Sequence, residues 1–246
     1  MERKKIISLF SGAGGLDIGF EWAGFEIAVM VELDSACCGT LRKNRPDTPI
    51  LNKDITKVTT QEILDAAGLR PLSPALVIGG PPCQSFSLAG KRGGLNDERG
   101  KLVIEFIRVV REALPVAFVM ENVKGMVNWE NGRALEAILE ELKNPISYQG
   151  IKYNYDAKVQ VLNAVDYGAP QFRERVFIVG NRIEKNYSFP VPTHRNLQSK
   201  TLFGEETKPY KSVWDAIANL PEAQEPSETA RRVAKTIKKR IETHGY

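Results

Sequence analysis

The first half of the chain alternates short apolar runs with segments of helical periodicity. Four runs rich in β-branched and other apolar residues predict strands, at residues 5–10, 26–32, 75–80 and 116–121. Residues 101–114 instead repeat apolar positions at helical spacing and stop before a proline. This alternation is typical of βαβ units, which build a parallel sheet.

Two further β-rich segments, 157–164 and 175–181, are close enough in sequence to pair with each other. They follow a second helical pattern at residues 133–142, where leucine and isoleucine share one face. We therefore predict an α/β fold of Rossmann type, with a mostly parallel sheet and an antiparallel edge strand.

The composition and the periodicity of the sequence change after residue 182, and this change marks the boundary between two predicted domains. Residues 1–182 are expected to form one catalytic and cofactor-binding domain, and 183–246 an extension rich in proline and polar residues. Within the extension, Ser212 is the predicted N-cap of a short helix over residues 213–220. The extension ends in a basic segment, 231–240, and is predicted to form the junction to a partner.

Composition and charge narrow the class of protein. The 246 residues are 42% hydrophobic and 26% charged, with a net charge of +4, as in ordinary soluble globular proteins. No apolar run approaches the ~20 residues needed to cross a bilayer, and no signal peptide is evident, so a cytoplasmic protein without a membrane partner is expected. The six basic residues of 231–240 suit nucleic acid, an acidic partner or a solvated helix, and alone do not distinguish them.

Cysteine usage argues against a disulfide framework or a metal site. The three cysteines are Cys37, Cys38 and Cys83, and none belongs to a C-x-x-C pair. A reducing compartment is therefore expected, and no metal ligand set is predicted.

A glycine-rich turn, SLFSGAGGLDIGF, follows the first strand and predicts a cofactor loop. Its glycines, Gly12, Gly14 and Gly15, depart from the G-x-G-x-x-G dinucleotide pattern, and tight turns use glycine for structural reasons alone. Glu32 ends the second strand, where an acid can hold ribose hydroxyls, and Asp54 follows a third strand, within reach of an adenine amino group. A nucleoside cofactor without a pyrophosphate fits, and S-adenosylmethionine is the leading candidate, although each acid alone could be a solvated loop carboxylate.

The stretch VIGGPPCQSFSLAG places a thiol directly after a predicted buried strand. An isolated cysteine is most often inert core filler. Pro81, Pro82 and the polar residues after Cys83 are poor surroundings for filler, however, and the prolines would fix the direction of the thiol. Cys83 is therefore predicted to be a nucleophile in the crevice at the carboxyl ends of the strands.

An acid and two arginines complete the predicted chemistry. Glu121 ends the fourth of these strands and could be a proton donor or a cap of the next helix. Arg173 and Arg175 fall on one face of the last strand, where they suit a polarised carbonyl oxygen or surface ion pairs with Glu174 or Asp166. A thiol, an acid, an arginine and a methyl donor in one cleft favour methylation of an unreactive ring carbon. Thiolate addition to the neighbouring ring position would give an enamine that can attack a sulfonium methyl group.

These motifs closely resemble those of the DNA (cytosine-5)-methyltransferases. The resemblance covers residues 5–181 and rests on FSGAGG, GGPPCQSFS, ENV and QFRER, in the family's order. It implies that Cys83 attacks C6 of cytosine, that Glu121 engages N3, and that Arg175 contacts O2 with Arg173 nearby.

The resemblance also implies S-adenosylmethionine as cofactor and double-stranded DNA as substrate. The implied cofactor-binding residues are Phe10, Gly12, Ala13, Gly14, Gly15, Leu16, Glu32, Leu33, Asp54, Ile55, Pro82 and Leu102. Leu33 stands where some members place an aromatic residue against the adenine. Reaching a base inside a duplex requires flipping it out, and residues 86–100 are predicted to be a mobile loop that closes on DNA. The implied nucleic-acid-binding residues are Gln84, Ser85, Ser87, Lys91, Arg92, Arg99 and Gln171.

Family members normally continue past QFRER into a target-recognition region and two motifs, R-E-x-A-R-x-Q and G-N-x-V-P, that do not occur in this sequence. We therefore predict a split enzyme, in which a second, smaller subunit carries the missing parts; a truncated, inactive fragment would have the same sequence. The nearest rival function is RNA cytosine-5 methylation. An amino-group DNA methyltransferase, a small-molecule methyltransferase and a non-catalytic subunit each leave part of the Cys83, Glu121 and Arg175 set unexplained. Action at the bacterial nucleoid, within a restriction–modification system, is the expected setting.

Overall fold

A computed structural model describes residues 3–82, 100–183, 186–196, 207–220 and 227–244. Its strands are β1 Lys5–Leu9, β2 Glu26–Val31, β3 Ile50–Leu51, β4 Leu76–Gly79, β5 Ala117–Val123, β6 Ile146–Tyr148, β7 Ile151–Tyr153, β8 Asp156–Asn163, β9 Glu174–Asn181, β10 His194–Arg195 and β11 Lys208–Pro209. Its helices are α1 Gly15–Trp22, α2 Ser35–Asn44, α3 Thr60–Ala67, α4 Gly100–Ala113, α5 Arg133–Lys143, α6 Val213–Ile217 and α7 Glu228–His244, with 3₁₀ turns at Ile55–Lys57, Lys124–Gly132 and Ala164–Tyr167.

The main sheet has seven strands in the order β3-β2-β1-β4-β5-β9-β8. The first five strands are parallel, and β9 runs antiparallel to both β5 and β8. The predicted α/β fold with its antiparallel edge is therefore confirmed. Because β1, β2, β4 and β5 are parallel, their carboxyl ends meet at one edge. Phe10, Glu32 and Gly80 directly follow β1, β2 and β4 there, and Glu121 lies near the carboxyl end of β5.

Helices cover both faces of the sheet. Successive residues of β1 point to opposite sides, so Ile6 belongs to a core cluster with Leu41 of α2, whereas Ile7 belongs to one with Ile63 of α3 and Phe106 of α4. All five side chains are fully buried. The two cores fix the sheet between the helical layers and thereby hold its carboxyl edge in place.

The region after residue 182 contacts the sheet domain through aromatic side chains. The Tyr187 hydroxyl donates to the Val179 carbonyl at 2.6 Å and accepts from the Lys158 amide at 3.1 Å. Ser212 caps α6 in a capping box with Asp215, as predicted. The domain boundary at residue 182 stays a prediction. Each helix in the described part of the chain is too short or too polar to cross a membrane.

Gly79 is required by the close approach of β4 to β1. A Cβ atom at this position would lie 2.5 Å from the Leu9 carbonyl oxygen, which is backbone and cannot rotate away. We expect Gly79→Ala to lower the free energy of unfolding by about 3 kcal/mol, measured by urea denaturation. Gly39→Ala is the matched control because nothing lies within 4 Å of its Cβ and alanine favours helix α2. Equal stability of the two variants would contradict this account.

Candidate active site

The loop between β1 and α1 is held in an unusual backbone conformation. Phe10, Gly12 and Gly14 have φ values of 53°, 54° and 88°, and Phe10 adopts this conformation although it carries a bulky side chain. A left-handed conformation at a bulky residue is strained and persists only where the surroundings impose it, which is common at ligand sites. Gly14 then ends the loop as the N-cap of α1.

Glu32 fastens this loop to the end of β2. Its Oε2 atom accepts a hydrogen bond from the Gly12 amide at 2.7 Å, and its Oε1 atom accepts from the Asp34 amide at 2.8 Å. Asn52, which the sequence analysis missed, donates from Nδ2 to the Glu32 carbonyl at 3.1 Å and to the Leu33 carbonyl at 2.9 Å. The carboxylate predicted to hold ribose hydroxyls is therefore pre-positioned by backbone hydrogen bonds.

A cavity of about 750 Å³ opens at the ends of β2 and β3, and we call it the β2–β3 cavity. The predicted cofactor residues on its wall are Phe10, Gly12, Glu32, Leu33, Asp54, Ile55, Pro82 and Leu102. Leu33 is 66% exposed and offers the aliphatic surface expected from its side chain. Eight residues that are scattered over 93 positions of sequence thus share one wall.

Two acids on the wall of this cavity are helix N-cap residues. Asp54 accepts from the Thr56 amide at 3.0 Å and from its hydroxyl at 2.8 Å, and these bonds lower the pKa of Asp54. Asp34 accepts from the Cys37 amide at 2.7 Å at the start of α2, which lowers the pKa of Asp34. Asp34 was not predicted as a site residue from the sequence, although its position before a helix is a recognisable N-cap signal. Both carboxylates therefore remain charged around neutral pH.

A second cavity, of about 590 Å³, lies between the β1–α1 loop and the strands β5 and β9, and we call it the β5–β9 cavity. The predicted residues on its wall are Phe10, Gly15, Leu16, Glu121, Arg173 and Arg175. Phe10 and Gly80 line both cavities, so the two spaces meet at these residues. Of the predicted cofactor loop, Ala13 and Gly14 line neither cavity, and Gln171 is exposed away from both.

Glu121 and Arg175 form an ion pair inside the β5–β9 cavity. Arg175 Nε lies 2.8 Å from Glu121 Oε1, and each side chain is about a quarter exposed, at 24% and 25%. The pair depends on the antiparallel register of β5 and β9, which places Arg175 opposite Val123. Surface pairing of Arg175 with the Glu174 carboxylate does not occur, because that carboxylate bonds Lys124 at 2.8 Å. Asp166 instead accepts from the Tyr210 hydroxyl at 2.7 Å.

Asn122 ties the end of β5 to the proline elbow. Its side chain donates to the Pro81 carbonyl at 3.2 Å, accepts from the Val123 amide at 2.8 Å, and is 3% exposed. Beside it, a Cβ at Gly80 would lie 3.0 Å from Glu121 Oε2, so the elbow passes directly over the acid. Residues 83–99 lie outside the described part of the chain; the predicted residues there are Cys83, Gln84, Ser85, Ser87, Lys91, Arg92 and Arg99.

The Asn122 tie leads to a prediction about the elbow. Asn122→Ala leaves the Pro81 carbonyl without its buried donor, and we expect a loss of about 1–3 kcal/mol in unfolding free energy. We also expect turnover to fall at least tenfold with little change in cofactor affinity, because the Pro81 carbonyl loses the hydrogen bond that positions the elbow. Denaturation, calorimetric titration and methyl incorporation measure these quantities. Asn144→Ala, on the exposed end of α5, is the control, and equal effects of the two substitutions would contradict the role of Asn122.

Comparison with protein families and relatives agrees with this geometry. A family model described as C-5 cytosine-specific DNA methylase matches residues 4–245. The Type II methyltransferase M.AquIA of Picosynechococcus sp. is 63% identical over 246 residues, covering 99% of each protein. M.FnuDI of Fusobacterium nucleatum is 40% identical over 229 residues, which cover 92% of this chain and 59% of that protein. The chain thus spans nearly all of one relative and about three fifths of the other.

Solved structures agree in fold. A prophage-encoded E. coli protein assigned as a DNA modification methyltransferase superposes with a TM-score of 0.69 at 27% identity, covering 89% of this chain and 56% of that one. The DNMT2 protein of Spodoptera frugiperda superposes with a TM-score of 0.56 at 24% identity, covering 76% of this chain and 52% of that one, and supports the fold alone.

Proposed function

We propose that this chain, which belongs to the C-5 cytosine-specific DNA methylase family, methylates C5 of a flipped-out cytosine in double-stranded DNA through a covalent adduct of Cys83. One observation supports this most directly. N3 and O2 are neighbouring atoms on one edge of cytosine, and the side chains assigned to them, Glu121 and Arg175, lie 2.8 Å apart in one cavity. A base entering the cavity edge-on can therefore meet both groups at once.

The family uses S-adenosylmethionine, and the described residues fit this cofactor. The wall of the β2–β3 cavity carries three carboxylates, Glu32, Asp34 and Asp54, together with the apolar side chains of Leu33 and Ile55. Such a lining suits ribose hydroxyls and an adenine ring. When bound, S-adenosylmethionine supplies an electrophilic methyl group.

In the proposed reaction, Cys83 and Glu121 make C5 of cytosine nucleophilic. The Cys83 thiolate bonds to C6, the C5–C6 π electrons shift to C4–C5, and the C4–N3 π electrons shift to N3, which takes up a proton from Glu121. Arg175 stabilises the charge on O2. After C5 has been methylated, its proton is lost to solvent as the C5–C6 double bond re-forms and the thiolate departs from C6, and N3 returns its proton to Glu121. Glu121 and Arg175 stand next to Gly80, from which the elbow continues through Pro82 to Cys83.

DNA contact is proposed for the residues that follow the elbow. Lys91, Arg92 and Arg99 carry charges that suit backbone phosphates, and Gln84, Ser85, Ser87 and Gln171 carry hydrogen-bonding groups for a base or its neighbours. Gln171 is exposed, as a DNA contact must be. Each lysine or arginine lost should weaken DNA binding more strongly at low salt than at high salt.

We further propose that a second, smaller polypeptide carries target recognition and the two motifs missing from this sequence. The described extension presents apolar side chains to solvent: Trp214 is 70% exposed, and Val213, Leu220, Val233 and Ile237 are also exposed. Val213, Trp214 and Leu220 fall within eight residues in and just after α6, and exposed apolar side chains grouped in this way are typical of an interaction site. The extension would therefore dock the second polypeptide.

Coexpression with the product of the adjoining reading frame tests the proposed function. Methyl incorporation from labelled S-adenosylmethionine is compared for the chain alone, the neighbour alone and the complex, on duplex DNA and on tRNA. We expect incorporation into duplex DNA by the complex only. Sequence-specific DNA methylation by the 246-residue chain alone would overturn the two-chain proposal, and incorporation into tRNA in preference to DNA would overturn the substrate.

A further inference from the structure

Asp17 is a fully buried acid with no hydrogen-bond partner among the described residues. It lies in the first turn of α1, directly after the glycine-rich loop, and its exposed fraction is 0%. Neither carboxyl oxygen makes a hydrogen bond within ordinary limits in the described part of the chain. Asp17 also lines the β5–β9 cavity. Buried carboxyl groups are normally paired, so this one calls for a ligand or another explanation.

The neighbouring charges do not satisfy Asp17. Arg45 donates from Nε and Nη2 to the two carboxylate oxygens of Glu21, at 2.7 and 2.6 Å, so its charge is largely committed. Ser8 and Ser11 bond each other, with their Oγ atoms 2.8 Å apart. Burial raises the pKa of Asp17, the Ser8 side chain and the charge of Arg45 oppose this rise in part, and the charge of Glu21 adds to it. The Asp17 carboxyl group therefore lacks a neighbouring cation or hydrogen-bond donor of its own among the described residues.

The two cavities define where a bound cofactor would place its cationic end. If the adenosine occupies the β2–β3 cavity, the remainder of S-adenosylmethionine can extend past Phe10 and Gly80, where the cavities meet, into the β5–β9 cavity. That remainder is an amino acid with an ammonium and a carboxylate. The ammonium is a hydrogen-bond donor with three protons and a positive charge, which is the chemistry that Asp17 lacks.

We infer that Asp17 is a cofactor-positioning residue that accepts the ammonium group of the methionine end of S-adenosylmethionine. This inference rests on the proposed function only in its choice of cofactor. The Ser8–Ser11 pair borders the same cavity and supplies hydroxyls for the rest of the amino acid. An ionised Asp17 also lies in the first turn of α1, where the helix N-terminus favours negative charge.

Cofactor binding should then depend on pH. In the protein without cofactor, burial raises the pKa of Asp17, so this residue keeps its proton to a higher pH than an exposed aspartate. An ammonium partner would favour the ionised form. Binding therefore releases a proton at pH values below the raised pKa, and affinity rises with pH until Asp17 is ionised in the free protein. The charged groups near Asp17 are Arg45 and Glu21, and both belong to the ion pair described above.

Ligand analogues test the inference without turnover. Calorimetric titration compares the wild type with Asp17→Asn for S-adenosylhomocysteine, which keeps the ammonium, and for 5′-methylthioadenosine, which lacks the amino acid. We expect Asp17→Asn to weaken S-adenosylhomocysteine about 10- to 100-fold and to leave 5′-methylthioadenosine within twofold. The variant should also lose the rise of affinity with pH. Asp47→Asn, at an exposed position, is the matched control and should change neither ligand.

Each other result overturns the inference. Unchanged affinity for S-adenosylhomocysteine means that Asp17 binds no ammonium. Equal weakening of both ligands means that the variant damages the site as a whole, and a parallel thermal unfolding scan would show that damage. Failure of the wild type to bind either ligand would instead contradict the cofactor assignment itself.

Discussion

Replacing Cys83 with serine is expected to abolish methyl transfer, with a fall in rate of at least about 10³-fold. Serine keeps the size and polarity of the side chain but its hydroxyl is a far weaker nucleophile than a thiolate at neutral pH. Serine differs from cysteine by a single atom, so cofactor affinity should stay within about twofold. Methyl incorporation by this chain together with the proposed second polypeptide and calorimetric titration of S-adenosylhomocysteine measure the two quantities.

Cys37→Ser is the control for Cys83→Ser. Cys37 is half-buried on α2, and burial raises the pKa of its thiol, so it is no candidate nucleophile. We expect the control to keep wild-type activity. Full activity of Cys83→Ser would remove the covalent mechanism from this account.

Glu121→Gln is expected to lower the methylation rate by about 10²- to 10⁴-fold. Glutamine retains a hydrogen-bonding side chain of similar shape but cannot transfer a proton to N3. It also removes the ion pair that holds Arg175 Nε at 2.8 Å, so the group assigned to O2 loses its position. Cofactor affinity should change far less than the rate, because Glu121 is assigned to the base and lies outside the β2–β3 cavity proposed for the adenosine.

Glu174→Gln provides the comparison for Glu121→Gln. Glu174 lies on β9, next to Arg175 in the sequence. Its carboxylate forms an ion pair with Lys124, and 47% of its side chain is exposed. An exposed pair of this kind contributes little, so we expect stability within about 1 kcal/mol and near wild-type activity. Comparable loss of rate in both variants would indicate a general effect of β9 rather than proton transfer by Glu121.

Hydrophobic patterning was sufficient to predict the sheet but not its finer elements. The parallel strands and the antiparallel edge followed from β-rich runs and from the short connection between β8 and β9. The hairpin β6–β7 was missed because each strand has only three residues. A local signal existed: Gln149 and Gly150 form its two-residue turn with φ values of 50° and 79°, and an x-Gly pair is typical of such turns.

The candidate site could be predicted in part, because acids after successive parallel strands must meet at one edge. Glu32, Asp54 and Glu121 were predicted in this way. The partner of Glu121 could not be predicted, because its ion pair with Arg175 depends on the register of β9 against β5. Asp17 could not be predicted either, because its burial arises only in the folded chain, and the nearby cation Arg45, 28 positions away, donates its hydrogen bonds to Glu21.

Trapping the covalent adduct tests the central claim most directly. This chain, together with the proposed second polypeptide, is incubated with S-adenosylmethionine and duplex DNA in which the target cytosine is 5-fluorocytosine, whose fluorine blocks the final loss of a proton from C5. Peptide mass spectrometry then locates the modified residue. The account predicts a stable adduct of methylated base on Cys83 that is absent from Cys83→Ser. Methylation of ordinary cytosine DNA by the same complex, without any adduct on Cys83 from the fluorinated DNA, would contradict it.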